Sequence, residues 1–336
     1  MPRATILVVG GGPAGAAAAI AALSEGAAVR IVERSRKRRH KVCGEFLSPE
    51  AFHLLDLLGA AKDLAGLEPA RIRRCLLRFG RREKRWNLVE PAFGLSRFEL
   101  DGLLLEKARH LGAAVSRGES AVADPGNGET AAIVLAAGRK AVASGRNRLF
   151  GFKAHFEGPA DDAIELYFGR HGYVGVSPVE NGWTNVCGIA PESALRRHGF
   201  DLDEYVAGSD PLAGRLRPLR RRMQWLMAGP LSYSPVAHSQ LDEHIYPAGD
   251  ALGFVDPFTG SGILNALLTG RMAGLSAARS VPGRDYIREC RSLLDRPFGI
   301  SALMRKLLEW DCAYYLAALT PGRWLFHLTR ARLRAL

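Results

Sequence analysis

The sequence predicts an α/β fold, and three of its stretches carry that prediction. An apolar, β-branched run, Ile6-Leu7-Val8-Val9, meets Gly10-Gly11-Gly12-Pro13-Ala14-Gly15 and opens into an alanine-rich helical pattern over 16–23. From 149 to 190 the pattern changes to short alternating strands separated by turn residues, as in an antiparallel sheet with one covered face. A short strand over 245–247 then leads to Gly249-Asp250 and a second glycine turn, Thr259-Gly260-Ser261-Gly262, ahead of a helical pattern over 264–278. The second stretch interrupts two of like chemistry. The expected architecture is therefore a discontinuous Rossmann-like domain with an inserted antiparallel β-sheet domain and a C-terminal helical segment.

In the first turn each glycine has its own task. Gly10 permits the sharp turn, Gly12 lets backbone N–H groups approach a pyrophosphate, and Gly15 lets helix and strand pack closely. The phosphates would rest on the helix N-terminus, where unpaired N–H groups and the helix dipole favour negative charge. Gly26 stops the helix, and 28–32 reads as a second strand ending in Glu33. That carboxylate follows the glycines by about 20 residues, the place from which an acidic side chain accepts hydrogen bonds from a ribose hydroxyl. Strand, turn, helix and acidic partner together predict a dinucleotide site.

Composition sets the bounds. With 336 residues, 47% of them hydrophobic and 24% charged, the chain has the length for about two domains and the make-up of a globular protein. A net charge of +12 is concentrated in 34–41, 71–85 and 215–222. No helix-turn-helix, zinc-finger or RNA-binding signature accompanies it, so nucleic acid is not an expected partner. Most of these residues read as a solvated basic surface, whereas Arg34 and Lys41, just after the second strand, can face a diphosphate. Contact with an anionic membrane surface stays open. Cys43, Cys75, Cys187, Cys290 and Cys312 are dispersed and form no C-x-x-C pair, so neither a disulfide framework nor a metal site is expected, and a reducing cytoplasm is the natural compartment. The N-terminus enters the first strand at once, unlike a signal peptide, and no apolar run is long enough for a membrane-spanning helix.

Along the chain, Cys43-Gly44-Glu45 falls on a loop before a helix that Ser48 can cap with Pro49 in its first turn. The arginine-rich 71–89 reads as short strands. The segment 95–101 leads into a helix over 102–110 stopped by Gly112, and 113–115 and 132–138 are further strands of the nucleotide sheet. A helical stretch is expected over 202–216, and 231–236 returns the chain to the first domain. The domain division is thus 1–70, 96–148 and 236–285 for the nucleotide domain, 71–95 and 149–235 for the inserted sheet, and 286–336 for the helical end. That end carries Trp310, Tyr314, Tyr315, Trp324 and Phe326 among arginines, a pattern for packing on its own domain or for docking peripherally on a membrane.

Three segments align in order with one superfamily: the glycine turn with Glu33, the Ser96-Arg97-x-x-Leu100-Asp101 helix entry, and Gly249-Asp250 followed by Pro257 and Gly260-x-Gly262-Ile263. Together they resemble the FAD-dependent oxidoreductases of the p-hydroxybenzoate hydroxylase fold. Cys43-Gly44-Glu45 and the 249–263 segment are most similar to the geranylgeranyl reductase family. The resemblance implies FAD, with Gly10, Gly12, Pro13, Ala14 and Gly15 at the diphosphate, flanked by Arg34 and Lys41, and Glu33 at the adenosine ribose. It implies Arg97 at the phosphate or ribityl region and Gly249-Asp250 at ribityl or phosphate oxygens. Pro257, Gly260, Gly262 and Ile263 would approach the isoalloxazine ring with N–H groups that stabilise negative charge. Cys43, with Gly44, would lie near the flavin as the catalytic candidate, against its reading as a small buried hydrophobe.

His155 and Tyr173 are candidates for the substrate pocket, each weighed against ordinary core or edge packing. The family implies hydride transfer at flavin N5 with a hydrophobic, isoprenoid- or polyketide-like substrate, and NAD(P)H, another reductant or an electron-donor protein as the source of electrons. One alternative is an FAD-dependent monooxygenase acting on an aromatic or lipid-like substrate; another is a non-catalytic prenyl-binding protein. Two departures bear on these. Ala137-Gly138 stands where many hydroxylases of this fold carry Asp-Gly, which argues against a direct NADPH hydroxylase cycle. The five tryptophans form no Trp-x-Trp pair, which argues against halogenation.

Overall fold

The computed structural model of the chain describes residues 5–120, 130–139, 148–159, 161–169, 172–237, 242–308, 320–322, 324 and 328–331. β1 (Thr5–Val9), α1 (Pro13–Ser24) and β2 (Ala28–Glu33) form the expected strand, turn and helix. β3 (Phe46–Leu47) leads into α2 (Pro49–Leu57), where the Ser48 hydroxyl accepts the Ala51 N–H, and α3 (Ala61–Ala65) follows. β4 (Ala70–Phe79) and β5 (Arg82–Gly94) make a hairpin. Its two strands are longer than the short ones expected, because Ile72, Cys75 and Leu77 face the core while Arg71, Arg73 and Arg74 face water, a half-buried pattern sustained past one bulge.

α4 (Arg97–His110) is capped by Ser96, which accepts the Glu99 N–H, and carries Lys107, Arg109 and His110 in its last turn, where the helix dipole favours cations. β6 (Ala114–Arg117) and β7 (Thr130–Leu135) complete this half. β8 (Leu149–Glu157), β9 (Ala163–Gly169), β10 (Gly172–Pro178) and β11 (Trp183–Pro191) form the inserted sheet. After α5 (Glu192–Arg197), the single helix expected over 202–216 is two, α6 (Leu202–Ala207) and α7 (Asp210–Leu216), separated at Gly208-Ser209, with Pro211 in the first turn of α7. β12 (Arg220–Arg221), β13 (Leu226–Leu231) and β14 (Ile245–Pro247) precede α8 (Gly262–Ala278) and α9 (Gly283–Leu308).

Two sheets result. The first is parallel in the order β14-β7-β1-β2-β6. The second runs β12-β8-β11-β10-β9-β4-β5-β3, with β13 also on β8, and is antiparallel except where β4 meets β9. Phe46–Leu47 therefore pairs with the second sheet, although its place in the chain is inside the first nucleotide segment. Leu47 is fully buried and Phe46 nearly so, so this two-residue strand ties the loop before it to both halves. The proposed C-terminal aromatic positions Trp310, Tyr314, Tyr315 and Phe326 lie outside the described residues.

The nucleotide half is held by α1 against α8 at backbone contact. A Cβ on Gly270 would sit 2.2 Å from the Ala14 carbonyl oxygen and one on Gly274 would sit 2.1 Å from that of Ala18. Gly274→Val is expected to lower stability by about 3 kcal/mol through overpacking, whereas Gly299→Ala on α9, with nothing near its Cβ, should raise it by about 0.5–1 kcal/mol through helix propensity. Denaturant unfolding of the two variants checks the contrast, and equal effects would show that α8 can shift away from α1.

Candidate active site

A cavity of about 460 Å³ runs from the carboxyl ends of the parallel strands to the face of the second sheet. At its first end Gly10 has φ +108, and a Cβ there would lie 2.3 Å from the Ala136 carbonyl oxygen. A Cβ on Gly15 would lie 1.8 Å from the Gly10 oxygen. The first close approach follows from pairing β1 with β7, after which the chain runs on through Ala136, and the second from packing α1 directly over β1. Gly12 caps α1 without any side-chain hydrogen bond, so the first-turn N–H groups are left for a ligand. The Arg97 guanidinium and the Lys41 ammonium stand 3.6 and 3.8 Å from where a Gly12 Cβ would be.

Asp101 holds both cations, Lys41 at 2.8 Å and Arg97 at 2.5 and 2.9 Å. Burial pushes the Asp101 carboxyl up, but Arg97 and then Lys41 outweigh it and hold the group below its ordinary range. Arg34 lines the same end. Glu33 accepts the Gly11 N–H on one oxygen and the Ser35 N–H on the other, each at 2.8 Å. These bonds more than offset burial and keep its carboxyl ionised. Across the cavity Asp250 stands in the turn after β14, with Arg139 at 3.8 Å. Burial pushes its carboxyl up despite Arg139 and Arg97.

The second glycine turn meets the middle of the cavity. Gly260 has φ +67, and Gly260, Gly262 and Ile263 line the wall where α8 begins. Asp256 supports this turn by accepting the Phe258 N–H at 3.3 Å. Burial pushes its carboxyl up to about 6, against the Phe258 N–H, Arg305 and Tyr233. An ordinary carboxyl titrates near 3.9. Between these values the folded protein binds the extra proton, so stability falls as pH rises from about 4 to about 6. Asp256→Asn should remove that fall and leave the variant about 2 kcal/mol more stable than the wild type at pH 8. Unfolding curves from pH 4 to 8 check this; parallel pH profiles would exclude it.

The far end is apolar. Its floor is Gly151, Ile164, Leu166, Gly175 and Ile189, with Tyr173 and Phe258 at the side; their rings meet at 6.2 Å, and Phe168 packs at 6.0 Å from Tyr173. Cys43 and Cys187 also line the cavity. The Cys43 sulfur accepts the Glu45 N–H at 3.4 Å and interacts with Arg97, while burial pushes the Cys187 thiol up to about 12.

The cavity therefore brings together Gly10, Gly12, Pro13, Ala14, Glu33, Arg34, Lys41, Cys43, Gly44, Arg97, Gly249, Asp250, Pro257, Gly260, Gly262, Ile263 and Tyr173, with Gly15 packed just behind them. His155 is placed differently. It is 1% exposed and lies behind the wall, where its Nε2 is 2.6 Å from a Glu45 oxygen. The other Glu45 oxygen holds the fully buried Lys153 ammonium. Burial pushes the Glu45 carboxyl up, but His155 and Lys153 outweigh it and keep the group ionised.

A nitrogen of His40, one of His155 and a Glu45 oxygen lie within 4.8 Å of one another, and the cation this carboxylate already holds is Lys153. Sequence reasoning placed Glu45 on a loop and passed over Lys153. The available signal was a charged pair spaced by two on a strand whose other face, Phe152, Ala154 and Phe156, is wholly apolar.

Residues 3–143 match the family model described as an FAD binding domain. The chain is 28% identical to the menaquinone reductase of Mycobacterium tuberculosis over 88% of its own length and 81% of that protein. It is 27% identical to the digeranylgeranylglycerophospholipid reductase of Thermoplasma acidophilum, covering 94% of this chain and 88% of that one. Among solved structures it is similar to the flavin-dependent brominase Bmp2, with a TM-score of 0.80, 17% identity and coverage of 96% and 92% of the two chains. That last likeness is one of fold. Residues 3–143 thus match an FAD binding domain, and the chain is an FAD-dependent oxidoreductase of the p-hydroxybenzoate hydroxylase fold.

Proposed function

We propose that this enzyme is a reductase of a flat or extended apolar substrate that lies on the β8–β11 floor. The observation that carries the reading is the far half of the cavity, where glycine, aliphatic and aromatic side chains form the wall and the carboxylate of Glu45 is turned back into the sheet. An apolar site with a few placed polar groups suits such a ligand. The menaquinone reductase and the digeranylgeranylglycerophospholipid reductase described above, each aligned with most of the chain, are named as reductases.

The residues present fit FAD. The uncapped start of α1, Arg97 and Lys41 would hold the diphosphate; Glu33 and Asp250 would accept hydroxyl groups; the Gly260 turn would face the ring with backbone N–H groups. Bound there, FAD supplies hydride transfer at N5. Cys43 faces the same space and is the group placed to give a proton to a substrate carbon, while the apolar floor excludes water. NAD(P)H or an electron-donor protein is the proposed source of electrons. No helix among the described residues is long and apolar enough to cross a membrane, and we place the enzyme in the cytoplasm, where the free thiols of Cys43, Cys75, Cys187 and Cys290 persist, with peripheral membrane contact as a route for an apolar substrate.

The test is the visible spectrum of the purified protein, followed through anaerobic reduction and then on mixing with air or with menadione as an unsaturated apolar acceptor. A reduced form that persists in air and is reoxidised by the acceptor supports the reductase; fast reoxidation by oxygen with hydroxylated product would establish the monooxygenase instead. Cys43→Ala should keep the yellow colour and lower kcat by about 100-fold, the range for loss of a general acid. An unchanged kcat would remove the thiol from the chemistry.

A further inference from the structure

Glu45 joins more of the fold than its short loop requires. One carboxylate oxygen accepts the Arg97 N–H at 2.6 Å and holds the Lys153 ammonium; the other meets His155 Nε2 at 2.6 Å. Its carbonyl accepts the Leu95 N–H at 3.1 Å, and its own N–H reaches the Cys43 sulfur. Two further side chains grip the same loop: Asn185 donates to the Cys43 carbonyl at 3.1 Å and Ser177 to that of Gly44 at 3.4 Å. Ser177, Asn185 and His155 are successive cross-strand neighbours on β10, β11 and β8. A polar row on one sheet face thus meets three consecutive residues of the cavity loop.

Packing alone does not ask for this arrangement. Glu45, Lys153 and His155 are 0%, 0% and 1% exposed, and a buried ion pair is often replaced by apolar side chains without loss of stability. Glu45 also has φ +54, a conformation that a non-glycine residue keeps only when its surroundings enforce it. Both features converge on the loop that carries the cavity's thiol.

We propose that the Lys153–Glu45–His155 cluster is a positioning device: a charge-balanced anchor that fixes the Cys43–Glu45 loop against the sheet and so sets where Cys43 and the start of α4 stand in the cavity. Glu45 acts through Cys43 and Arg97, and the significance of that placement rests on the reading of Cys43 given above. The anchor works by directed charge, so bulk and neutrality without charge should not replace it.

The test compares the FAD-bound wild type with the double variant E45Q/K153M, which removes both charges and leaves no buried ion unpaired. Its melting temperature should stay close to that of the wild type. Hydrogen exchange of the peptide 41–47 should rise roughly tenfold while the rest of the chain is unchanged, and alkylation of Cys43 by iodoacetamide, mapped by mass spectrometry, should quicken roughly fivefold as access improves. Wild-type exchange and alkylation in a stable double variant would overturn the proposal. So would a lowered melting temperature with exchange raised throughout, which marks a purely structural cluster. Neither readout involves turnover, so failure here is distinct from failure of the reductase reading, which the spectrum decides.

Discussion

Gly15→Ala protein is expected to emerge from purification colourless. The added Cβ would lie 1.8 Å from the Gly10 carbonyl oxygen and 3.1 Å from Val8, so α1 must move off β1. That movement carries the uncapped helix start away from Gly12, Arg97 and Lys41 together. An affinity loss of at least roughly 100-fold is expected, about 3 kcal/mol at 1.4 kcal/mol per tenfold. The measurement is titration of FAD followed by flavin fluorescence, with circular dichroism to show that the fold persists. Gly214→Ala on α7, with open space around its Cβ, is the control and should bind FAD normally. A folded Gly15→Ala protein that stays yellow would mean that the diphosphate does not rest on α1.

Glu45→Gln alone should be the most damaging single change behind the cavity wall. It leaves the fully buried Lys153 ammonium without its carboxylate, and breaking a buried pair in this way costs about 3–5 kcal/mol. For a chain of this size the melting temperature should fall by roughly 5–10 °C. The effect has a pH signature. The Glu45 carboxyl is held below its ordinary range in the folded protein, so its contribution is present at neutral pH and drains away as pH falls below about 4. Melting curves of wild type and Glu45→Gln should therefore converge in acid. A gap that stays constant with pH would show that the loss comes from shape, not charge.

Much of the nucleotide half was legible because its constraints are local. Gly10, Gly12 and Gly15 fall within six consecutive residues, and strand, turn and helix follow from them and from the apolar run before them. Ser48 announced a helix start through capping chemistry that involves only the next three residues, whereas the cap at Ser96 came from the structure. Alternation exposed the inserted sheet in the same way. Where local signals conflicted the reading was less complete: arginine density suggested short strands over 71–89, and tertiary burial of Ile72, Cys75 and Leu77 extended them.

The sequence by itself determined the parallel nucleotide sheet, its two glycine turns and the acidic residues beside them, because each depends on neighbours a few positions away. Only the tertiary structure decided the pairing of Phe46–Leu47 with β5, the placement of His155 behind the wall and the union of Glu45 with Lys153 and His155. Those partners lie 108 and 110 positions apart, and no periodicity links them. They meet because the second sheet packs the polar row on one of its faces against the loop that leaves the first, and a buried carboxylate must then find its charge wherever the fold brings one.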